Sequence, residues 1–538
     1  MTIQEKAYER RWWILVVLCL SLVVITLDNT ILNVALPTLV EKLDASNSQL
    51  QWIVDGYTLV FAGLLLTAGS LGDRLGRKGA LQIGLAIFGI GSALSAMATS
   101  PTQLIITRCI MGIGGAFIMP ATLSILTDVF PPEERGRAIG VWAGISGIGI
   151  AIGPLLGGYL VDHFSWGSVF TVNLPVVAVA IIAGGLIVPS SKDPDAQKLD
   201  PIGAALSIVG LVSLVFGLIE APQEGWTDPK ILAAFAIGAL TLAAFAGWEL
   251  RTDHPMLDVS FFKNPRFSAA STAITLVFFG MFGFSFLLTQ YLQFVLGYSP
   301  SQAGLRMMPL ALTLMVVAPT SSRIVEKVGT KIVVGTGLTL VSVALLLNTG
   351  LAVDSAYVQV VWRMMLLAVG MGLVMAPATE SIMGSLPLGK AGVGSAVNDT
   401  TRQVGGALGV AIVGSVLSSV YGTKIADFMG EAGLPAKAID GARDGLGSAL
   451  AIAGKVGGPE GAAIAGQARA AFVEALHGGA IVASVAAAVG AVVVIRYLPS
   501  HAPTIGDEPQ DSATDPTVSI TVPSDATTTT ESLDPASI

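Results

Sequence analysis

The sequence predicts an all-α integral membrane protein with fourteen membrane-crossing helices, arranged as two six-helix halves with two helices inserted between them. Three observations lead there. The first is composition: 53% of the 538 residues are hydrophobic and 12% are charged, with a mean hydropathy of +0.73, where a soluble domain carries about 25% charge. The second is that the charge deficit recurs in segments about twenty residues long, the length that crosses a bilayer core as a helix. The third is an internal repeat. "GSLGDRLGRK" (69–78) lines up with "SRIVEKVGTK" (322–331), and "PATLSIL" (120–126) with "PATESIM" (377–383), at offsets of 253 and 257 residues.

In chain order, the first six spans are predicted over 13–36, 50–72, 80–98, 102–129, 138–160 and 169–188. Two more, 202–221 and 231–250, precede a second group at 267–296, 303–322, 332–353, 356–386, 392–420 and 477–498. The repeat offset is that of two six-helix halves separated by two extra helices. Parallel repeats about an axis along the membrane normal place a site between halves that rock, which a pore, a receptor or a membrane enzyme does not require.

Lys and Arg in short loops set the orientation. With the N-terminus inside, inner loops and ends carry eighteen of the twenty-nine basic residues, and the short outer loops carry two, Lys42 and Lys230. Both termini are therefore expected in the cytoplasm, with the chain in the cytoplasmic (inner) membrane. The predicted organisation is a cytoplasmic N-terminus (1–12), an N-terminal half (13–188), a linker pair (189–266), a C-terminal half (267–498) with a long external segment (421–474), and an acidic cytoplasmic tail (499–538). Composition leaves the Ala- and Gly-rich segment 421–474 open between helices and a lid.

Charge and cysteine content narrow the partners. Of the net charge of −8, seven charges come from acids in the tail, which has no Lys or Arg. Rich in Thr, Ser, Pro and Asp, the tail has too little apolar surface to pack and is read as disordered. The membrane body is nearly neutral, so no nucleic-acid partner is indicated. Cys19 and Cys109 lie in apolar spans, where a small buried residue is expected rather than a disulfide or metal ligand. The first apolar run is too long for a signal-peptide core and is read as a retained span.

Several motifs occupy particular helices. In "GSLGDRLGRK", Gly69 and Gly76 allow a tight turn, while Asp73, Arg74, Arg77 and Lys78 can pair across the halves as a conformational latch. A positive-inside anchor is the plainer reading, and it accounts for the basic residues but not for Asp73. In "GIAIGPLLGG" (149–158), Gly149, Gly153, Gly157 and Gly158 share one helix face, where small residues permit close helix contact. Pro154 removes a backbone hydrogen bond and bends that helix; ordinary packing fits these residues as well. "LIITRCIMGIGGA" (104–116) carries Arg108 inside a span, and "LDNTILNVALP" (27–37) carries Asp28, Asn29 and Asn33 inside another. Taken together, these motifs resemble those of the major facilitator superfamily, and within it the fourteen-helix drug:proton antiporter branch. The resemblance covers about residues 12–498. It implies the superfamily's fold, a latch in the 69–78 loop, and a tight, bent fifth helix that seals against leak and favours exchange.

A charge deep in a span is costly and by default a functional candidate. At about 1.5 Å per residue, Asp28 lies roughly 8 Å below the outer face of a core about 30 Å thick. Asp55, in "QWIVDGYTLV", and Arg108 enter from outside and reach about the same depth. Burial disfavours a charged carboxylate and a nearby guanidinium favours it, so Asp28, Asp55 and Arg108 make a proton site that arginine movement or a cationic substrate could switch. A purely structural Asp28–Arg108 brace fits the same residues. In the second half, Glu380, Asp399 and Arg402 lie about 9–15 Å in from the inner ends. Asp399 and Arg402 can pair on one helix face, and Arg363 aligns with Arg108. Candidate substrate contacts are Asp28, Asn33, Tyr57, Gln290, Tyr291, Glu380 and Asp399, with Gln293 a further polar group.

"GSLPLGKA" (384–391) approaches a phosphate-binding loop but ends in Ala391, where that loop needs a metal-binding hydroxyl, and no strand precedes it. No nucleophile–base or metal-ligand spacing is found. No enzyme activity, metal or cofactor is therefore expected, and an ion gradient is the expected energy source. The resemblance implies a proton-coupled antiporter that exports amphipathic, cationic drugs, working as a monomer with a small-molecule substrate, protons and the lipid bilayer as partners. A dedicated exporter of one endogenous metabolite, lipid or antibiotic keeps the fold and changes the cargo. A non-transporting sensor or scaffold is the alternative of a different class.

Overall fold

The computed structural model describes residues 8–191, 200–253, 255, 259–385 and 391–500. The N-terminal 1–7, part of the linker (192–199), most of the 384–391 motif and the acidic tail from 501 onward lie outside the described residues. The described chain is helical, without a strand. Its first half comprises α1 (Arg11–Leu43), α2 (Asn47–Leu75), α3 (Arg77–Ala96), α4 (Pro101–Val129), α5 (Pro132–His163) and α6 (Ser168–Ile187). The linker pair is α7 (Pro201–Glu224) and α8 (Pro229–Glu249). The second half begins with α9 (Pro265–Gln290), which ends in a π-helical turn over Tyr291–Val295. Then come α10 (Pro300–Val328), α11 (Thr330–Leu347), α12 (Tyr357–Met383), α13 (Ala391–Glu431), two short helices α14 (Ala436–Arg443) and α15 (Leu446–Val456), and α16 (Gly458–Tyr497). Among the described residues, twelve helices are long and apolar enough to cross a membrane. Helices α2 and α5, of 29 and 32 residues, stand where the second and fifth spans are predicted.

Helix starts follow local chemistry. Ser46 and Ser299 form capping boxes with Gln49 and Gln302, satisfying N–H groups that a bilayer cannot. Proline occupies the first turn of α4, α7, α8, α9 and α10, where its lack of an N–H costs nothing.

The repeat is visible in three dimensions. Gly76 and Gly329, one repeat offset apart, both take positive φ (+123° and +85°) and end α2 and α10 with N–H bonds to Gly72 O and Val325 O. Only glycine adopts such angles cheaply, so each half has the same sharp turn between its second and third helices. Gly76→Ala or Gly329→Ala strains that turn by about 1–3 kcal/mol; the thermal midpoint in detergent should fall, while Gly79→Ala, in open space, should leave it unchanged. Packing repeats as well: α2, α3 and α1 pack on α4, α4 and α5, as α10, α11 and α9 pack on α12, α12 and α13. The halves meet through α5 against α10 and α2 against α13, and α7 lies on both α2 and α13.

The segment 421–474 is helical. Helix α13 continues to Glu431, and α16 starts at Gly458, ahead of its predicted span. With α14 and α15 these extensions form a cap over the junction of α1 and α2, where Asn47 N donates to Asp444 O at 2.8 Å and Gly447 abuts Val40. This is the cap end of the bundle. The opposite end, carrying Arg11, Arg77 and Arg266, is the basic end.

Candidate functional site

Five helices of the first half converge on one buried ion pair. Arg108 on α4 donates through Nη1 to Asp28 Oδ2 on α1, with the side chains 1% and 0% exposed. Its Nε donates to Ile53 O on α2 at 3.2 Å, and its guanidinium lies 4.3 Å from the centroid of the Tyr57 ring. On the other side, Asn173 Nδ2 of α6 donates to Asp28 Oδ1 at 3.2 Å and to Ser92 Oγ of α3 at 3.1 Å. Ser92 in turn donates to Phe170 O. The glycines of "MGIGGA" make this approach possible. A Cβ at Gly112 would stand 2.6 Å from Tyr57 O, and one at Gly115 2.9 Å from the Phe61 ring. Removing either charge would strand the other in a low-dielectric core, at about 3–5 kcal/mol. Asn173 escaped the sequence reading because depth counting followed only ionisable residues; an amide inside an apolar run was the available signal.

Asp55, at the same predicted depth, is not part of this pair. It is 0% exposed on α2, and its carboxylate has no hydrogen-bond partner among the described residues. Neighbouring Gly56 faces Cys109 on α4. The three charges expected to share one site thus divide into a pair and a separate buried acid. Asn33 Nδ2 donates to Asn29 O at 3.3 Å, within its own helix.

The second-half candidates do not form an equivalent cluster. Asp399 and Arg402 stand 3.9 Å apart, and Arg402 Nη2 also donates to Thr379 Oγ1 at 3.0 Å. Glu380 is exposed near the basic end of α12. Arg363, the sequence counterpart of Arg108, donates to Leu347 O at 2.9 Å and so ties α12 to the end of α11. Gln290 Nε2 donates to Phe286 O and Tyr291 Oη to Ala352 O. These two candidate substrate contacts are buried and have backbone partners, while Gln293 Nε2 reaches Val34 O across the halves at 2.9 Å.

The glycine face of α5 packs against α1 of its own half and, at Gly158, against α10 of the other. Cβ atoms at Gly153 and Gly157 would fall 1.9 Å from Thr30 Oγ1 and 2.7 Å from the Ile31 side chain on α1. One at Gly158 would meet Pro300 O and Ser301 Cα of α10 at 2.4 Å, and one at Gly304 on α10 would meet Pro154 O at 2.0 Å. Beside this contact, Asp162 of α5 accepts from Ser299 Oγ and Ser301 N, each at 3.0 Å, and from Ser301 Oγ. A carboxylate of one half thereby caps the N-terminus of a helix in the other. Hydrogen bonds between the halves among the described residues gather at this cap end. Asp162→Ala should weaken closure by about 0.5–2 kcal/mol, seen as a larger open population in spin-label distances across α5 and α10.

At the basic end the 69–78 loop binds its own half. Gly69 packs on Pro120, Arg77 Nη1 lies 3.7 Å from Asp128 Oδ1, Arg77 N donates to Ser191 O, and Lys78 Nζ donates to Gly185 O at 2.7 Å. Arg74 is exposed. Among the described residues these contacts run to α4, α6 and the segment after α6, while the hydrogen bonds between the halves lie at the opposite end. The surroundings of Asp73 and Gly149 lie outside the described residues.

Residues 18–410 match the profile of the Major Facilitator Superfamily. The chain is 34% identical over 486 residues to the multidrug efflux pump LfrA of Mycolicibacterium smegmatis, covering 90% of this chain and 96% of that protein. It is also 34% identical over 468 residues to the methyl viologen resistance protein SmvA of Salmonella typhimurium, covering 86% and 93%. Among solved structures, an inward-facing, unoccupied bacterial homologue of the human lysosomal transporter Spinster superposes with a TM-score of 0.64 at 18% identity, over 91% of this chain and 98% of that one. The fold, the paired halves and the relatives agree: this multi-pass membrane protein belongs to the Major Facilitator Superfamily.

Proposed function

We propose that the chain exports amphipathic, cationic drugs in exchange for protons across the cytoplasmic membrane, as a monomer and with the proton gradient as its only energy source. The observation that carries this reading is the buried Asp28–Arg108 pair, held by four helices besides α1 where a purely structural contact needs only two. The relatives named as a multidrug efflux pump and a resistance protein support drugs as the cargo. In this reading α2 and α5 also cross the bilayer, making fourteen spans. The basic end faces the cytoplasm by the positive-inside tendency, so the closed cap end is outer.

The test is ethidium uptake into inverted vesicles with an acid interior. Export driven by the gradient and abolished by a protonophore supports the reading. Absence of any proton-coupled flux of cations would revive the sensor or scaffold. A panel of unrelated cations separates a broad exporter from a dedicated one, since the latter moves a single compound.

A further inference from the structure

The α2–α13 contact between the halves carries buried polar groups with no hydrogen-bond partner among the described residues. Asn47, Gln51 and Asp55 recur every fourth residue on α2, 3%, 0% and 0% exposed. Asn47 Nδ2, both terminal atoms of Gln51 and both carboxylate oxygens of Asp55 have no hydrogen-bond partner among the described residues. On α13, Ser415 Oγ, Ser418 Oγ and Tyr421 Oη are likewise buried and unpartnered. Contacts fix which helices face each other: a Cβ at Gly414 would stand 2.6 Å from Gln51 Cδ, and about two turns deeper Leu59 meets Ala407 and Ala411. The polar stretch therefore runs from the cap inward and stops at an apolar plug.

Buried amides, hydroxyls and carboxylates are nearly always satisfied, and in a membrane the cost of leaving them bare rises. Water is the partner that such groups recruit, each molecule bonding about three of them. Other charged groups around α2 are already engaged. Glu220 of α7 accepts from Ser48 Oγ and Trp52 Nε1, and Arg108 of α4 is held by Asp28 and Ile53 O. At the outer end, Asp444 and Gly445 of the cap sit directly on Asn47. Burial, with Asp440 adding to it, pushes the Asp444 carboxyl up, which suits an acid that exchanges protons with the exterior.

We propose that the α2–α13 seam is a water-filled proton path that leads from the Asp444 junction in the cap, past Asn47, Gln51 and Ser415, to Asp55. The path rests on the antiport reading and deepens it, giving the proton and the drug separate ways in. It also gives the cap a role, since α14 and α15 shape the outer mouth.

The test uses full-length protein in vesicles. Parent protein without proton-driven ethidium flux would defeat the antiport reading rather than the seam. With that flux established, Gln51→Leu/Ser415→Val, which dries the seam, should keep ethidium binding and lower proton-driven transport about tenfold or more. Gln51→Asn/Ser415→Thr should retain both. Unaltered transport and an unaltered pH profile in the dry variant would overturn the path. A second measurement does not depend on that variant folding. Ser415→Cys in a Cys19→Ala/Cys109→Ala background should react from the outer face with a small hydrophilic methanethiosulfonate. A cysteine there that stays unmodified in folded, transporting protein would equally overturn it.

Discussion

Asp28→Asn should reduce proton-driven ethidium transport to background and lower the thermal midpoint of the protein in detergent. Both effects have the same origin. Arg108 is 1% exposed and keeps only Ile53 O, the Tyr57 ring face and a neutral amide once the carboxylate is gone, and breaking a buried pair from one side costs about 3–5 kcal/mol. Loss of transport alone does not separate coupling from bracing, because a destabilised helix bundle also fails. The double change Asp28→Asn/Arg108→Met does separate them. It removes both charges, so the stranded guanidinium no longer penalises the fold, and the midpoint should recover most of what the single change lost. If the pair is only a brace, gradient-driven transport recovers with it. If the pair couples protons to substrate, the double variant folds, binds ethidium and moves it only downhill, with a rate indifferent to pH.

Gly158→Leu should stop the transport cycle without removing any charge. A Cβ there meets Pro300 O and Ser301 Cα, both backbone, at 2.4 Å, so α5 and α10 must separate for the side chain to fit. Overpacking of this kind costs about 1–3 kcal/mol and occasionally more, enough to shift a balanced two-state equilibrium about five- to 150-fold. Because the clash exists only where the halves touch, it falls on the cap-end-closed state and spares others. Spin-label distances between α5 and α10 should lengthen, and ethidium turnover should fall with that shift. Gly185→Ala is the control: nothing lies within 4 Å of its Cβ position, and transport should be normal. If Gly158→Leu turns over at the parent rate with parent distances, the glycine face is ordinary packing.

Much of the architecture is legible in the sequence. Span positions follow from bilayer thickness and from the need to satisfy every backbone group internally, so helix boundaries fall near those expected from α1 through α12. The repeat gave away the paired halves, and Gly76 and Gly329 turn alike because one backbone geometry recurs. The glycines of α5 were legible as a close-contact face, though not what they touch. The cap was not legible: its Ala and Gly content suits a helix as well as a loop, and tertiary contact with the ends of α1 and α2 decides the matter.

The buried charges show where reading along the chain stops. Counting residues yields depth in the membrane, and it correctly placed Asp28 and Arg108 at one level. It put Asp55 there too, yet the fold gives Arg108 to Asp28 and leaves Asp55 with no hydrogen-bonding partner among the described residues. The same holds for Gln290 and Tyr291, whose polar atoms reach backbone carbonyls of α9 and the segment after α11. Composition determined the order and approximate bounds of the apolar helices, because those depend on transfer of single segments between water and lipid. Which side chains meet depends on how each helix is rotated about its own axis. That rotation is set by small residues such as Gly112, Gly115, Gly158 and Gly304, whose partners lie on other helices, and only the packed structure specifies it.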